Sequence, residues 1–165
     1  MQISVKWKKR FLVLTALALG AAALFFPPLA QDLSYHDFAD KRPLSSVPNA
    51  ADVLSNISFC IVGIWGMVMM RKYRGGDTKA CALWHIFFFG VFLVGFGSGY
   101  YHWVPNNQTL VWDRLPMTIA FMSLFALVIA EHVSRRAGYA LFPFLLLAGI
   151  GSVWYWDYTE SIGAG

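Results

Sequence analysis

Charged residues are scarce in this sequence. Asp, Glu, Lys and Arg make up 13% of the 165 residues, whereas soluble domains carry roughly 25%. Hydrophobic residues make up 58% of the chain, and the mean hydropathy is +0.53. A core of this size cannot bury so many apolar side chains, so lipid must solvate much of the surface. The composition therefore excludes an ordinary soluble domain and predicts an integral membrane protein.

The sequence also has few cysteines and no glycine-rich phosphate loop. Its two cysteines, Cys60 and Cys81, lie in different apolar segments, which argues against a disulfide. The net charge is +4, but Lys and Arg are scattered between apolar runs and form no basic stripe with aromatic platforms. We therefore expect no nucleic-acid partner.

Five apolar segments are present, and each is bounded by charge, proline or glycine. The predicted helices cover about residues 11–30, 53–70, 82–101, 110–130 and 139–156. The first is long enough to span a hydrocarbon core of about 30 Å at ~1.5 Å per residue. It also fits a signal peptide cleaved after Ala30, and both interpretations stay open. The chain is predicted to be a single all-α domain, a polytopic transmembrane bundle of about five helices, with the lipid bilayer as its partner.

The positions of Lys and Arg predict the orientation. Ten of the 13 fall at the amino terminus, at 71–80 or at 131–138. The intervening loops carry only Lys41, Arg42 and Arg114. By the positive-inside rule the amino terminus is cytoplasmic, and residues 31–52, 102–110 and 157–165 lie outside.

Three polar residues converge at the outer level of this topology. Ser98 and His102 are four apart near the end of the third helix, so they share a face. Asp113 lies near the start of the fourth helix. Polar groups at this depth are functional candidates, but the spacing leaves a metal ligand, a proton relay and a structural network open. Taken singly, the histidine can be a helix-end residue that bonds water, and Asp113 a helix-start acid.

Two short motifs carry a family resemblance. Residues 97–102 (GSGYYH) and 113–117 (DRLPM) resemble the motif of the alkaline ceramidase family, and residues 55–56 (SN) are similar to its pattern as well. That family belongs to a superfamily of seven-helix membrane hydrolases that also includes receptor-like members. The resemblance covers about residues 31–160, and the first apolar segment is similar to an added helix.

The resemblance implies zinc-dependent hydrolysis of the amide bond of a ceramide-like membrane lipid, which releases a sphingoid base and a fatty acid. His102 would be one of three histidine ligands of zinc, near the extracytoplasmic face. Asp113 would transfer protons between water and the leaving amine, and Ser98 would hydrogen-bond the developing oxyanion.

The sequence departs from the family in two places. The family's other zinc ligands come from a His-x-x-x-His pair on its last helix, which this sequence lacks; of the remaining histidines, only His36 lies outside with His102. We therefore expect either the amino-terminal part of a longer protein or a truncated relative. The family's acidic calcium loop is also altered. Asp37, Asp40 and Asn49 are candidate calcium ligands, and a solvated loop with a helix cap is the alternative.

Two other functions remain open at this stage. A receptor-like or lipid-binding member of the superfamily would use the same fold without catalysis. A membrane cytochrome would use His85 and His132, both on the cytoplasmic side, as axial ligands of haem.

The charge bias generates the first testable prediction. A reporter fused after Gly165 should be extracytoplasmic and one fused after Arg74 cytoplasmic, because the Lys and Arg bias alternates along the chain. Reporter activity in whole cells checks both positions. The same side for both fusions would contradict the five-helix topology.

Overall fold

The computed structural model describes residues 5–38, 40–73 and 76–164. Arg74 and Gly165, used above for topology, lie outside the described residues. The described chain is all-α, as predicted, and contains no strand beyond an isolated bridge between Leu44 and Val47. Its elements are α1 (Val5–Phe25), a 3₁₀ turn (Leu33–His36), α2 (Ala50–Ser55), α3 (Ile57–Lys72), α4 (Thr78–Trp103), α5 (Asn107–His132) and α6 (Arg135–Ser161).

In the described chain, four helical stretches are long and apolar enough to cross a membrane. They are Ala50–Lys72, which joins α2 and α3, and the helices α4, α5 and α6. The prediction of an all-α membrane bundle is therefore confirmed. α1 contains a shorter apolar stretch, Val13–Ala22, so its crossing of the bilayer stays a prediction, as does the orientation.

The helix ends differ from those predicted from hydropathy. α1 ends at Phe25 rather than near residue 30, because Pro27 and Pro28 disfavour helix at and before their positions. The other helices extend beyond their apolar windows into polar caps. Asp77 caps α4 by accepting from the Lys79 N–H at 2.9 Å. Asn106 caps α5 by accepting from the Thr109 N–H at 2.9 Å, and such caps are invisible to a hydropathy window.

Packing follows chain order. α4 contacts α3 on one flank and α5 on the other, and α6 packs against α5. Glycines let the backbones approach closely, as small residues do between membrane helices. A Cβ atom added at Gly90 would lie 2.7 Å from the Ala120 nitrogen, and one at Gly138 would lie 2.6 Å from the Ala130 nitrogen.

The same close packing holds α2 and α3 against α4. A Cβ atom added at Gly63 would lie 2.5 Å from the Phe92 nitrogen, and one at Gly95 would meet the Asn56 carbonyl at 3.0 Å. Asn56 itself is buried and donates to the Asp52 carbonyl at 2.8 Å. The amide nitrogen of this residue, at the junction of α2 and α3, therefore finds its acceptor in α2.

A pair of glycine substitutions tests this packing. Gly90→Ala should destabilise the protein by about 1–3 kcal/mol, because the added methyl group forces α4 and α5 apart. Gly151→Ala on α6 is the matched control, since nothing lies within 4 Å of its Cβ position. The control should be neutral or gain roughly 0.5–1 kcal/mol from helix propensity. Thermal unfolding in detergent measures both, and a Gly90→Ala protein as stable as Gly151→Ala would contradict the close contact.

Candidate functional site

The backbones of α4 and α5 approach each other closely beside the predicted site residues. A Cβ atom at Gly97 would clash with the Trp112 carbonyl and lie 3.2 Å from the Pro116 ring. Ser98 follows Gly97, and Asp113 follows Trp112. The two residues are therefore held at one level by a backbone contact that tolerates no side chain at Gly97.

His102 has an unsatisfied ring nitrogen. Its Nδ1 is buried and has no hydrogen-bond partner among the described residues. The Phe38 ring packs against the imidazole with centroids 4.4 Å apart, and the Asn49 amide donates to the His102 carbonyl at 2.9 Å. Leaving a buried polar atom unpaired costs about 1–3 kcal/mol, so such an atom needs an explanation. Coordination of a metal ion through Nδ1 would supply the missing partner.

The side chains of Ser98 and Asp113 also make no hydrogen bonds within the described chain. Ser98 is 8% exposed, and Asp113 is half-buried. A buried hydroxyl can donate to a nearby oxyanion, and an ionised carboxylate can accept a proton. At this depth of the bundle the structure therefore places a hydroxyl group, a carboxylate and an imidazole. No hydrogen bond joins these three groups within the described residues.

The other histidines do not complete a metal site. His36 uses both ring nitrogens for hydrogen bonds, His85 Nδ1 bonds the Cys81 carbonyl at 2.8 Å, and His132 is exposed at the end of α5. Within residues 5–38, 40–73 and 76–164, no three His, Cys, Asp or Glu side chains are grouped to hold a metal. His102 is thus suited to be one ligand of a zinc ion, but these residues do not supply the other ligands that such a site needs.

Sequence reasoning missed a hydrogen-bond network at the same end of the bundle. The Tyr101 hydroxyl lies 2.8 Å from His36 Nδ1, and His36 Nε2 lies 2.8 Å from Asn107 Oδ1. A neutral imidazole protonated at Nε2 satisfies both contacts, because it donates to Asn107 and accepts from Tyr101. Tyr101 is 2% exposed, so its hydroxyl depends on this partner.

The network continues to the end of α6. Asn107 donates to Glu160 at 3.1 Å, and Glu160 accepts from the Gln31 N–H at 2.5 Å. Gln31 in turn accepts from Arg114 at 2.6 Å, whose guanidinium stacks 4.1 Å from the Trp156 ring. The segment before α2 is therefore tied to α4, α5 and α6. Partners as distant as Gln31 and Glu160 carry no local sequence signal.

The candidate calcium ligands have other partners. Asp37 pairs with Lys41 at 2.6 Å, and Asn49 donates to His102. Asp40 accepts from Arg42 Nε at 2.8 Å and from the Ala51 N–H at 2.9 Å. The Arg42 guanidinium and then this N–H hold the pKa of the Asp40 carboxyl below its ordinary value. Calcium binding stays a prediction. In the structure these side chains make contacts within the loop and at the ends of helices.

Comparison with known proteins adds the decisive observation. The family model described as Ceramidase matches residues 45–162. The chain belongs to the ceramidase family. No curated protein and no solved structure matches it.

Membership of the ceramidase family confirms the resemblance carried by residues 97–102 and 113–117. Ser98, His102 and Asp113 all lie inside the matched region, as does Asn49. Asp37 and Asp40 lie before it. A ceramidase-like function in a membrane-embedded chain therefore rests on the family and on the apolar helices together.

The His36 contacts generate the next prediction. His36→Ala should lower the free energy of unfolding by about 1–3 kcal/mol, because two hydrogen bonds worth about 0.5–1.5 kcal/mol each are lost. Thermal unfolding in detergent measures the loss. His132→Ala is the control, since that side chain is exposed. Equal shifts in the two variants would contradict the network.

Proposed function

We propose that this ceramidase-family protein hydrolyses the amide bond of a ceramide-like lipid at a zinc site to which it contributes His102. The observation that supports the proposal most is the buried Nδ1 of His102, which has no partner among the described residues. Ser98 lies about one turn before His102 on α4. Its neighbour Gly97 packs against the α5 backbone next to Asp113.

Zinc, when bound, supplies a Lewis acid that makes water nucleophilic at neutral pH. Asp113 is half-buried and its oxygens accept no hydrogen bond from the described residues, so it can take a proton from water and return it to the leaving nitrogen. Ser98 keeps its hydroxyl proton available for the oxygen on which negative charge develops. Phe38 covers the His102 ring and excludes water from that side.

The surroundings of the site support a lipid substrate. The spanning helices expose large apolar side chains on their outer faces, among them Phe96, Phe121 and Phe144. A double-chain amide lipid therefore stays in the bilayer while its polar headgroup reaches the helix ends at His102. A soluble amide gains nothing from such a surface.

A second candidate is a receptor-like or lipid-binding protein without catalysis. Its support is the incomplete ligand set, since the described residues group no three metal-binding side chains. The two candidates differ in one measurable respect. The hydrolase turns over ceramide when loaded with zinc, and the binding protein retains lipid without cleaving it.

Variants at the three positions test the proposed roles. In the full protein, His102→Ala should lose both bound zinc and ceramide hydrolysis, because an open tetrahedral site needs its three ligands. Asp113→Asn should keep zinc but turn over about 10²- to 10⁴-fold more slowly, and Ser98→Ala about 10²- to 10³-fold more slowly. Zinc content and release of the sphingoid base are the measurements.

The controls separate the alternatives. His132→Ala should keep both zinc and turnover. A preparation of residues 1–165 with no other protein present should bind zinc weakly and hydrolyse nothing, because its described residues group no three metal-binding side chains. Full zinc occupancy in the His102→Ala protein would overturn the ligand assignment. A zinc-loaded full protein that binds ceramide without cleaving it would favour the binding protein.

A further inference from the structure

The end of the bundle opposite His102 carries a groove that the proposed hydrolysis does not use. We call it the basic end; it is formed by the last turns of α3 and α5 and the first turns of α4 and α6. There a groove of about 400 Å³ runs between α4 and α6. Its rim carries Lys79 and Arg136, and its walls include Ala82, Ile86, Ala140 and Phe142.

The rim has an excess of positive charge. Lys79 and Arg136 are exposed, and no carboxylate pairs with either within the described residues. Asp77, the acid that caps α4, accepts from the Tyr139 hydroxyl at 2.6 Å and lies 4.0 Å from Arg135. Asp77 therefore already has two partners. Lys79 Nζ lies 5.8 Å from the centroid of the Tyr139 ring, a contact that leaves its charge without a carboxylate, so both rim cations can bind an anion.

The walls are apolar and held in place by the core. Leu83, Ala126 and Leu127 form a buried cluster, and Ile86, Tyr139 and Phe142 pack against it. The groove is therefore formed by the packing of α4 and α6 on α5 and needs no rearrangement to open. The small side chains of Ala82 and Ala140 leave room between the two helices for a hydrocarbon chain.

Cations above an apolar groove at a helix end match an amphiphile with a negative headgroup. We propose that the groove binds an anionic phospholipid, with its phosphate between Lys79 and Arg136 and one acyl chain between α4 and α6. Basic pockets between helices at a membrane surface bind such headgroups. The rim offers no free carboxylate to a cationic headgroup, and a soluble phosphate would leave the apolar walls unused.

This site is separate from the proposed zinc site. Lys79 and His102 are at opposite ends of α4, about 35 Å apart at ~1.5 Å per residue. The proposal therefore stands or fails independently of ceramide hydrolysis, and its test needs no enzymatic activity.

The test compares the full protein in nanodiscs of phosphatidylcholine with and without phosphatidylglycerol. Phosphatidylglycerol should raise the unfolding temperature, because a ligand of the native state stabilises it by mass action, and native mass spectrometry should detect retained phosphatidylglycerol. The double variant Lys79→Gln, Arg136→Gln should lose the temperature shift and retain the lipid about thirtyfold more weakly, as expected for two charged contacts. Ala140→Phe keeps both cations but fills the groove, and it should weaken retention as well.

The matched control is Arg71→Gln, Lys72→Gln, which removes the same charge from the same end but on α3, away from the groove. It should behave as the unsubstituted protein. An equal loss in this control would show diffuse attraction to the surface and overturn the site. An equal temperature shift from inorganic phosphate in phosphatidylcholine nanodiscs would show a simple anion site and overturn the lipid proposal.

Discussion

The close approach of α4 and α5 is the constraint on which the rest of the arrangement depends. At Gly97 the two backbones meet so closely that no side chain fits, and at Gly90 the same pair of helices touches again. Two contacts along one helix pair fix both the distance between the two helices and the rotation of each helix about its axis. The faces presented by Ser98, His102 and Asp113 are set by these contacts rather than by any bond among the three side chains.

A second layer of order comes from the segment before α2. Through His36 and Gln31 it joins α4, α5 and α6, and through Phe38 and Asn49 it reaches His102. The segment has little regular structure, yet Gln31, His36 and Asn49 form hydrogen bonds to residues on the helices. These contacts hold the segment over the helix ends, where the described residues leave the His102 Nδ1 unpaired.

The sequence predicted the helices well and their termini less well. Long uncharged runs identify spans because lipid leaves the backbone no other way to satisfy its hydrogen bonds, whereas the caps at Asp77 and Asn106 depend on single side chains. The common level of Ser98 and Asp113 followed from a short connection between two helices. The Tyr101–His36–Asn107 contacts did not, because tertiary hydrogen bonds between distant residues leave no periodic pattern. The calcium prediction relied on the position of the family's calcium loop and on residue type, and the structure pairs Asp37 and Asp40 with nearby cations.

The packing order also bears on how the chain assembles. α3 contacts α4, α4 contacts α5 and α5 contacts α6, so each helix packs on the one synthesised just before it. Contacts between neighbours in sequence require little loop-closure entropy and form quickly. Assembly can therefore keep pace with insertion from the ribosome, one hairpin at a time. The bonds from Gln31 and His36 to the later helices must wait until those helices are made, so this early loop is among the last segments to become fixed.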